Sequence, residues 1–207
     1  ALEPRIRQYC ADALDPLVGR GGFDLVRDFA AQMPMRVIGM LLGIPDQDQE
    51  AVRDRVDATL RTEAGKPMQQ ADAFASGDIA EYIDWRADHP SDDIMTELMH
   101  AEFEDETGTR RRLTRDELLT YVSVVAGAGN ETTTRLIGWT GKVLAEHTDQ
   151  RREIVEDRSL VNDAIEEILR FEPPAPHVGR YVARDVEIHG RTVPEGSAML
   201  LLVGAAN

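Results

Sequence analysis

Residues 127–134 read Gly-Ala-Gly-Asn-Glu-Thr-Thr-Thr and lie in the middle of the longest helical pattern of the chain. The pattern opens with Thr114 and Glu117, which are spaced as a capping box, and it continues without a proline to about Glu146. At about 1.5 Å per residue, such a helix is a rod of about 50 Å. A rod of that length has to cross most of a domain, so we expect a fold built round this central helix.

The middle of the central helix has few charged or polar side chains. Residues 121–128 are apolar or small on nearly every side, which predicts a helix that is buried all round. Gly127 and Gly129 each cost about 0.5–1 kcal/mol relative to alanine inside a helix. Two such glycines require a reason, such as the close approach of another surface, and a flat ligand is one surface that would fit.

Thr132 and Glu131 are the residues of this helix that could carry chemistry. The Thr132 hydroxyl can turn back onto the carbonyl of Ala128 or Gly129, which bends a helix and frees a backbone group. An acid beside that hydroxyl provides the start of a proton relay. The alternative is close helix–helix contact over small residues with a solvent-facing Glu131, and this segment alone favours the alternative.

Composition and charge exclude several function classes. The chain has 207 residues, 38 acidic and 23 basic side chains and a formal net charge of −15. Because a field of this sign repels phosphate groups, we expect no nucleic-acid partner and no membrane surface as partner. The longest apolar run, residues 199–206, is far too short to span a bilayer, and we expect a cytoplasmic protein. Cys10 is the only cysteine, which excludes disulfide frameworks and multi-cysteine metal sites within the chain.

Start and stop signals divide the N-terminal half of the chain into several helices. The signals expected to cap or end a helix are Asp24, Gly43, the pair Asp46 and Gln49, and residues 91–93. Residues 102–112 are mostly charged and predict a solvated loop. The Arg110–Arg112 triplet is interpreted as solvated surface, and a binding patch is the alternative.

The predicted secondary structure changes from helix to strand after residue 172. A helix is expected from about Asp149 to Arg170, and the prolines of residues 173–176 then stop helix formation. Short strands are expected over residues 178–183, 186–188 and 198–203. We therefore predict one domain, mainly α with a small β-sheet, that is helical over residues 1–172 and has its sheet over residues 173–207.

Charged residues near this change from helix to strand could carry function. Glu167 and Arg170 are three residues apart on one helix and can pair, but such pairs are ordinary surface features. Arg180 lies where the chain leaves the proline turn for a strand, a good position for binding an anionic group. The alternative for Arg180 is an ion pair with one of the many nearby carboxylates.

The order and spacing of these segments resemble a cytochrome P450 of the bacterial soluble type. Residues 128–133 match the oxygen-activating helix motif of that family, and Glu167 to Arg170 match its Glu-x-x-Arg helix. Residues 179–183 match the strand whose arginine binds a haem propionate. Residues 23–30 and 37–45 are similar to two of the upstream helices, so the resemblance covers essentially the whole chain and implies a partial P450 fold.

The resemblance implies part of a haem-thiolate monooxygenase, which activates O2 and hydroxylates a hydrophobic small molecule with electrons from a ferredoxin-type donor. Haem is the implied cofactor, and Ala128, Gly129, Thr132 and Arg180 are its implied binding residues. Glu131 and Thr132 are the implied catalytic residues, which act in oxygen activation and proton delivery. Glu167 and Arg170 are an implied structural ion pair. The implied substrate contacts are small or apolar positions together with one histidine, namely Val124, Gly127, Ala128, Pro176, His177 and Val178.

The iron ligand of that family is missing from this sequence. The family uses a cysteine thiolate in a glycine-rich loop near the C-terminus. Cys10 instead lies on the apolar stripe of an N-terminal helix and lacks the Phe-x-x-Gly-x-x-x-Cys context. We therefore expect no metal ligand in this chain. We also expect an internal fragment that lacks the N-terminal region and the cysteine loop and is inactive alone. Without its third partner, a semi-buried Glu167–Arg170 pair would leave the chain marginally stable.

A function of a different class stays open. The alternative is a non-catalytic helical ligand-binding or scaffold protein that derives from the P450 fold and is unable to bind haem. An unrelated helical regulator would leave the series of motifs as a coincidence. A Phe-x-x-Gly-x-x-x-Cys segment encoded after Asn207 would favour the enzyme, and its absence would favour the derived protein.

Overall fold

The computed structural model describes residues 2–60 and 77–207, with only the backbone at residues 55–60 and 77–78. The helices are α1 (Glu3–Leu14), α2 (Met33–Leu42), α3 (Asp46–Leu60), α4 (Gly77–Asp88), α5 (Ile94–His100), α6 (Arg115–Glu146), α7 (Thr148–Glu156), α8 (Val161–Phe171) and α9 (Val203–Ala206). The strands are β1 (Glu102–Glu104), β2 (Arg110–Arg112), β3 (Val178–Tyr181), β4 (Val186–Ile188), β5 (Arg191–Val193) and β6 (Ala198–Leu201). The fold is therefore mainly α with short antiparallel strand pairs, as predicted.

The chain divides into two compact units, Ala1–Thr134 and Arg135–Asn207, which we call unit 1 and unit 2. The boundary between them falls within α6. The organisation of the chain as a single domain stays a prediction.

Helix α6 is the central helix that the sequence predicts, and it has 32 residues. A reciprocal capping box precedes its first turn. The Thr114 N–H donates to Glu117 Oε2 over 2.8 Å, and the Glu117 N–H donates to Thr114 Oγ1 over 3.3 Å. Both predicted ends of the helix are confirmed, since α6 runs from Arg115 to Glu146. The box stabilises the start because it satisfies backbone donors that would otherwise lack partners.

One face of α6 is packed, and the opposite face is exposed. Val122 and Ala126 are fully buried, whereas Tyr121 is 54%, Val124 41% and Val125 36% exposed. The prediction of a helix that is buried all round is therefore wrong. Apolar residues occupy both faces of α6, but the described elements of unit 1 cover only one of them.

The core of unit 1 joins four helices. Each contributes one large side chain that is almost fully buried: Leu42 from α2, Ile79 from α4, Met95 from α5 and Val122 from α6. Burying a side chain of this size stabilises a fold by about 1.5–3 kcal/mol. These contacts hold the packed face of α6 against α2.

The C-terminal end of α2 is fixed by a buried ion pair. Gly43 ends the helix with a left-handed conformation at φ +70°, as predicted, and its carbonyl accepts from Arg86 Nη2 over 2.7 Å. Arg86 Nε lies 3.0 Å from Asp93 Oδ2 in an ion pair, although neither atom has a hydrogen bond. Asp93 also caps α5, since its Oδ1 accepts from the Thr96 N–H. Arg86 and Asp93 are only 8% and 7% exposed, so the pair ties α2, α4 and α5 together.

Residues 102–112 form a β-hairpin, so the predicted loop is wrong, although most of these residues are exposed as expected. Glu102 pairs with Arg112 and Glu104 with Arg110 in an antiparallel register. The turn is held by Asp105, whose Oδ1 accepts from the N–H groups of Thr107 and Thr109. This side-chain bonding, rather than apolar burial, closes the hairpin.

The arginine triplet of this hairpin is neutralised by carboxylates. Arg110 and Arg112 pair with Glu102 at 3.1 and 3.7 Å. Arg111 pairs with Asp105 at 3.0 Å and with Glu117 at 2.7 Å, which fastens the hairpin to the start of α6. The alternative of a binding patch is therefore disfavoured.

Unit 2 differs from the sequence prediction in detail. The helix expected over residues 149–170 breaks at Asp157, whose Oδ1 accepts from the Ser159 N–H over 2.9 Å and starts a 3-10 turn. Strand β3 pairs antiparallel with β6, and β4 with β5. Strands β3 and β6 end earlier than predicted, because Tyr181 and Leu201 are the last residues in the ladder. Strand β5 was not predicted.

Substituting Gly43 will test the ion pair that fixes α2. A Cβ at this position would overlap Asp93 and Arg86, and the left-handed conformation disfavours any other residue. We expect Gly43→Ala to lower the free energy of unfolding by about 2–4 kcal/mol. The measurement is chemical denaturation of the longest native product of the gene that encodes this chain, which we call the native product. Gly22→Ala is the control, since a Cβ there meets nothing within 4 Å; equal losses in both variants would contradict the prediction.

The hairpin contacts predict a loss of stability in acid. The Arg111 guanidinium and the Thr114 N–H lower the pKa of Glu117 to about 2. Hydrogen bonds from Thr107, Thr109 and Arg111 lower the pKa of Asp105 to about 2. A carboxyl with a lowered pKa in the folded state stabilises the fold at neutral pH, and this contribution is lost as the pH falls from about 5 to about 2.

We therefore expect the unfolding temperature of the native product to fall more steeply over this pH range than that of an Arg111→Leu variant. Arg110→Leu is the matched control, because Arg110 is 78% exposed and pairs only with Glu102 among the described residues. It should keep the wild-type pH profile. Parallel profiles for wild type and Arg111→Leu would show that the Arg111 contacts do not lower these pKa values.

Candidate functional site

The exposed face of α6 forms a continuous stripe of side chains centred on Ala128. Successive residues of a helix are about 100° apart, so positions 121, 124, 125 and 132 all lie within about 60° of position 128. We call the set Tyr121, Val124, Val125, Ala128 and Thr132 the α6 stripe. Ala128 is exposed and Thr132 is half-buried. The structure thus brings three predicted site residues, Val124, Ala128 and Thr132, onto one surface.

The Thr132 hydroxyl makes the bond that the sequence predicts. Its Oγ1 donates to the carbonyl of Ala128 over 2.8 Å. A hydroxyl has one proton to donate and two lone pairs to accept with. Because its proton is directed to Ala128, Thr132 can offer lone pairs as acceptors at the edge of the α6 stripe. Glu131, the neighbouring acid, is half-buried.

The glycines of the motif lie on the flanks of the packed face. Gly127 is buried, and both glycines lie about 100° from Ala128, on opposite sides. A Cβ on Gly129 would be 2.8 Å from Cδ1 of Ile38, which is itself buried in the core. The close approach of α2 therefore accounts for Gly129 without a ligand.

Thr134 makes a long-range contact that the sequence analysis missed. Its Oγ1 donates over 3.2 Å to the carbonyl of Ala30, 104 residues earlier in the chain. Ala30 is fully buried and is the last residue of a π-helical turn, Val26–Ala30, whose start is capped by Asp24 as predicted. A hydroxyl at a helix position that faces the core is the signal that could have indicated this bond.

Arg180 lies on β3 in unit 2, opposite Met199 on β6. Its Nη1 donates to the carbonyl of Gly179 over 2.9 Å, and within residues 2–60 and 77–207 no carboxylate pairs with it. The alternative of a local ion pair is therefore not found. The exposed guanidinium keeps donors that an anionic group could accept.

The other predicted contacts of unit 2 lie just before β3 and at its first residue. Val178 is 36% exposed and is opposite Leu201 in the ladder. The Pro176 carbonyl accepts from the Gly204 N–H over 3.1 Å, which joins the strand entry to α9. His177 is exposed between them. These three residues and Arg180 are thus within five consecutive positions of one exposed segment.

Glu167 and Arg170 form the predicted pair on α8. Two hydrogen bonds of 2.7 and 2.8 Å join the guanidinium to the carboxylate, which lowers the pKa of Glu167 and raises that of Arg170. The side chains are 61% and 51% exposed, so the expectation of a semi-buried pair is wrong for this chain. A hydrated pair carries little desolvation penalty, and it gives no reason for marginal stability.

The described residues contain no group of three or more His, Cys, Asp or Glu side chains that could hold a metal ion. None of the described helices combines the length and the apolar character that crossing a bilayer would require.

A cleft of about 520 Å³ lies between α3 and α4. Its lining residues are Pro45, Asp48, Ala51, Val52, Glu81, Tyr82 and Trp85. None of the predicted site residues lines it, so it is separate from the α6 stripe.

Comparison with known proteins identifies the family. The family model described as Cytochrome P450 matches residues 54–207, about three quarters of the sequence. The chain belongs to the cytochrome P450 family. At the three segments that match P450 motifs, this structure has the Thr132–Ala128 hydrogen bond, the Glu167–Arg170 pair and the exposed Arg180.

Individual relatives are similar along the whole of this P450 chain. Cytochrome P450 CYP107DY1 of Priestia megaterium is 34% identical over 100% of the chain and 50% of its own length. Vitamin D(3) 25-hydroxylase of Pseudonocardia autotrophica is 33% identical over 100% of the chain and 50% of its own length. The crystal structure of P450BioI in complex with a fatty-acyl Acyl Carrier Protein has a TM-score of 0.87 at 27% identity and covers 99% of the chain and 53% of that protein. The chain spans about half the length of the curated relatives it matches.

Haem is the cofactor that the P450 family implies, and two observations test whether the residues present suit it. The α6 stripe is mostly apolar, and Ala128, its central position, has a small side chain. Glu131 lies on the flank of the stripe, about 60° from Ala128. Arg180 is a cation that lacks a carboxylate partner among the described residues, so it can pair with a propionate. The donor set and the apolar surface both fit the group, each in its own unit.

Proposed function

We propose that the native product is a haem-thiolate monooxygenase that inserts one oxygen atom of O2 into a hydrophobic small molecule. The observation that carries the proposal is the Thr132 hydroxyl bonded to Ala128 at the edge of an exposed apolar stripe, next to Glu131, in a chain of the P450 family. This arrangement combines an apolar surface with a fixed hydroxyl and an acid. Those are the groups that controlled proton delivery requires.

Each residue of the chain has a distinct role in this proposal. Arg180 holds a haem propionate through charge-assisted hydrogen bonds. Ala128 leaves room beside the haem because its side chain is a single methyl group. Bound haem supplies the iron at which dioxygen is reduced.

Thr132 and Glu131 handle protons in this proposal. Because the Thr132 hydroxyl donates its proton in a hydrogen bond to the Ala128 carbonyl, its oxygen can accept a hydrogen bond from a water or hydroxyl beside the stripe. That bond orients the donor. Glu131, one residue earlier on the helix, exchanges protons with solvent and replaces the proton that is delivered.

The substrate in this proposal is a hydrophobic small molecule. Its proposed contacts are Val124 and Ala128 in unit 1, and Pro176, His177 and Val178 in unit 2. Gly127 is buried, and Gly129 faces Ile38. In this proposal, their lack of side chains lets α6 pack closely behind the stripe. A sterol-like substrate, as the name of the vitamin D(3) relative indicates for that protein, is compatible with this apolar set.

A ferredoxin-type electron donor and a cytoplasmic location complete the proposal. The net charge of −15 disfavours nucleic acid and anionic membrane surfaces as partners.

We further propose that the 207-residue chain alone has no monooxygenase activity. Its one cysteine, Cys10, is on α1, where it is partly buried. Thiolate ligation by a cysteine of a glycine-rich loop is what the P450 resemblance implies, and Cys10 lacks that context.

A second candidate function is a ligand-binding or scaffold protein that does not hold haem. The contact between Gly129 and Ile38 favours it, because helix packing then explains a motif glycine without a cofactor. The sequence encoded after Asn207 separates the two candidates. A Phe-x-x-Gly-x-x-x-Cys segment there supports the enzyme, and its absence supports the second candidate.

Thr132→Ala tests the catalytic role of the hydroxyl. In the native product with its electron donor, we expect reductant and oxygen to be consumed while product formation falls about 10-fold or more, with the lost fraction appearing as peroxide. Thr132→Ser is the matched control and should retain most of the product, since it keeps the hydroxyl. Unchanged coupling in Thr132→Ala would remove Thr132 from the mechanism.

Arg180→Gln tests the propionate contact. Loss of a charge-assisted hydrogen bond should weaken haem binding about 10-fold to 100-fold, measured by transfer of haem to an acceptor protein. Arg184→Gln is the control, because Arg184 is a second exposed arginine four residues along the same segment. Equal haem loss in the two variants would show that Arg180 has no specific role.

A further inference from the structure

The turn of α6 that carries Glu131 and Thr132 lies between two contacts with residues 30–38 of unit 1. On its N-terminal side, Gly129 faces Cδ1 of Ile38 on α2, at a distance that leaves no room for a Cβ. On its C-terminal side, the Thr134 hydroxyl donates to the carbonyl of Ala30. The contacts are five residues apart on α6, which is about 7.5 Å along the helix axis.

A proline removes the α-helical backbone donor to the acceptor of Thr134. In helical backbone the carbonyl of Ala30 would accept from the N–H of the residue four positions later, which is Pro34 and has no N–H. Ala30 is fully buried, so an unbonded carbonyl there would be costly. The Thr134 hydroxyl satisfies it at 3.2 Å.

The two contacts restrict different movements of α6. Ile38 is 7% exposed and belongs to the core, so its side chain limits how closely α6 can approach α2 at Gly129. The hydrogen bond at Thr134 is directional, so it limits rotation of α6 about its axis and sliding along it. A rotation or a slide of α6 would move the Thr132 hydroxyl, together with the rest of the α6 stripe, relative to the core of unit 1.

We propose that Thr134 and Ile38 are positioning residues, which fix the place of the Thr132 hydroxyl through the contacts with Ala30 and Gly129. This inference rests on the proposed function for its consequence in catalysis. The three consecutive threonines then differ in their contacts. Thr132 donates a hydrogen bond within α6, Thr134 donates one to the π-helical turn, and Thr133 is exposed.

The first experiment compares Thr134→Val, Thr134→Ser and Thr133→Val in the native product. Valine has the shape of threonine and lacks the hydroxyl, and serine keeps the hydroxyl. Amide hydrogen exchange over residues 128–135 is measured in the absence of substrate and electron donor. We expect Thr134→Val to speed exchange about 5-fold or more, with Thr134→Ser and Thr133→Val close to wild type.

The second readout is the fraction of consumed reductant that is recovered as product. We expect Thr134→Val to lower this fraction while haem content is unchanged, and Thr134→Ser to restore it. Wild-type exchange in Thr134→Val, or equal effects of valine and serine, would overturn the proposal. If Thr132→Ala leaves coupling unchanged, the proposed function fails, and the exchange data still decide whether Thr134 positions the helix.

A pair of size changes tests the Ile38 contact separately and covers the case in which Thr134→Val does not fold. Gly129→Ala should lower the unfolding temperature of the native product, because its Cβ meets Cδ1 of Ile38. Ile38→Val removes that atom. The double variant should therefore unfold at a temperature about 3 °C or more above that of Gly129→Ala alone. If the two substitutions lower the temperature additively, Ile38 does not set the distance of α6 at Gly129.

Discussion

The close approach of α6 to α2 is the constraint on which the arrangement of unit 1 depends. Gly129 leaves no space for a side chain against Ile38, and Val122 and Leu42 bury fully in the core beside this contact. A helix that is drawn tightly onto its neighbours on one side presents its other side outward. The exposed α6 stripe is therefore a consequence of the core, and the position of the stripe is only as well defined as the contact behind it.

The same constraint divides the central motif into residues that pack and residues that face outward. Gly129 and Thr134 contact α2 and the π-helical turn, whereas Ala128 and Thr132 belong to the exposed stripe. A motif glycine can thus serve the fold while the neighbouring hydroxyl serves the chemistry. This explains why a contiguous motif is needed: in a helix, adjacent positions are about 100° apart and reach both surfaces.

Much of the fold could be predicted from the sequence where a local signal decides the structure. The capping box of Thr114 and Glu117 and the left-handed Gly43 fixed helix ends correctly because both act through nearby backbone groups. The exposed face of α6 could not be predicted, since apolar residues occupy both faces and only tertiary contacts show which face is covered. The β1–β2 hairpin was missed because charge dominated its interpretation, although the side-chain bonds of Asp105 close the turn. For the candidate site, the Thr132 bond followed from local geometry, whereas the Thr134 bond joins residues 104 positions apart and required the structure.

We propose that the native product holds haem through a thiolate, with the α6 stripe in unit 1 and Arg180 in unit 2 as the residues of this chain that suit the group. The most direct measurement is the carbon monoxide difference spectrum of the reduced native product. The account predicts stoichiometric haem and a Soret band shifted to the red in the way that thiolate ligation produces. A native product that takes up no haem would contradict the account.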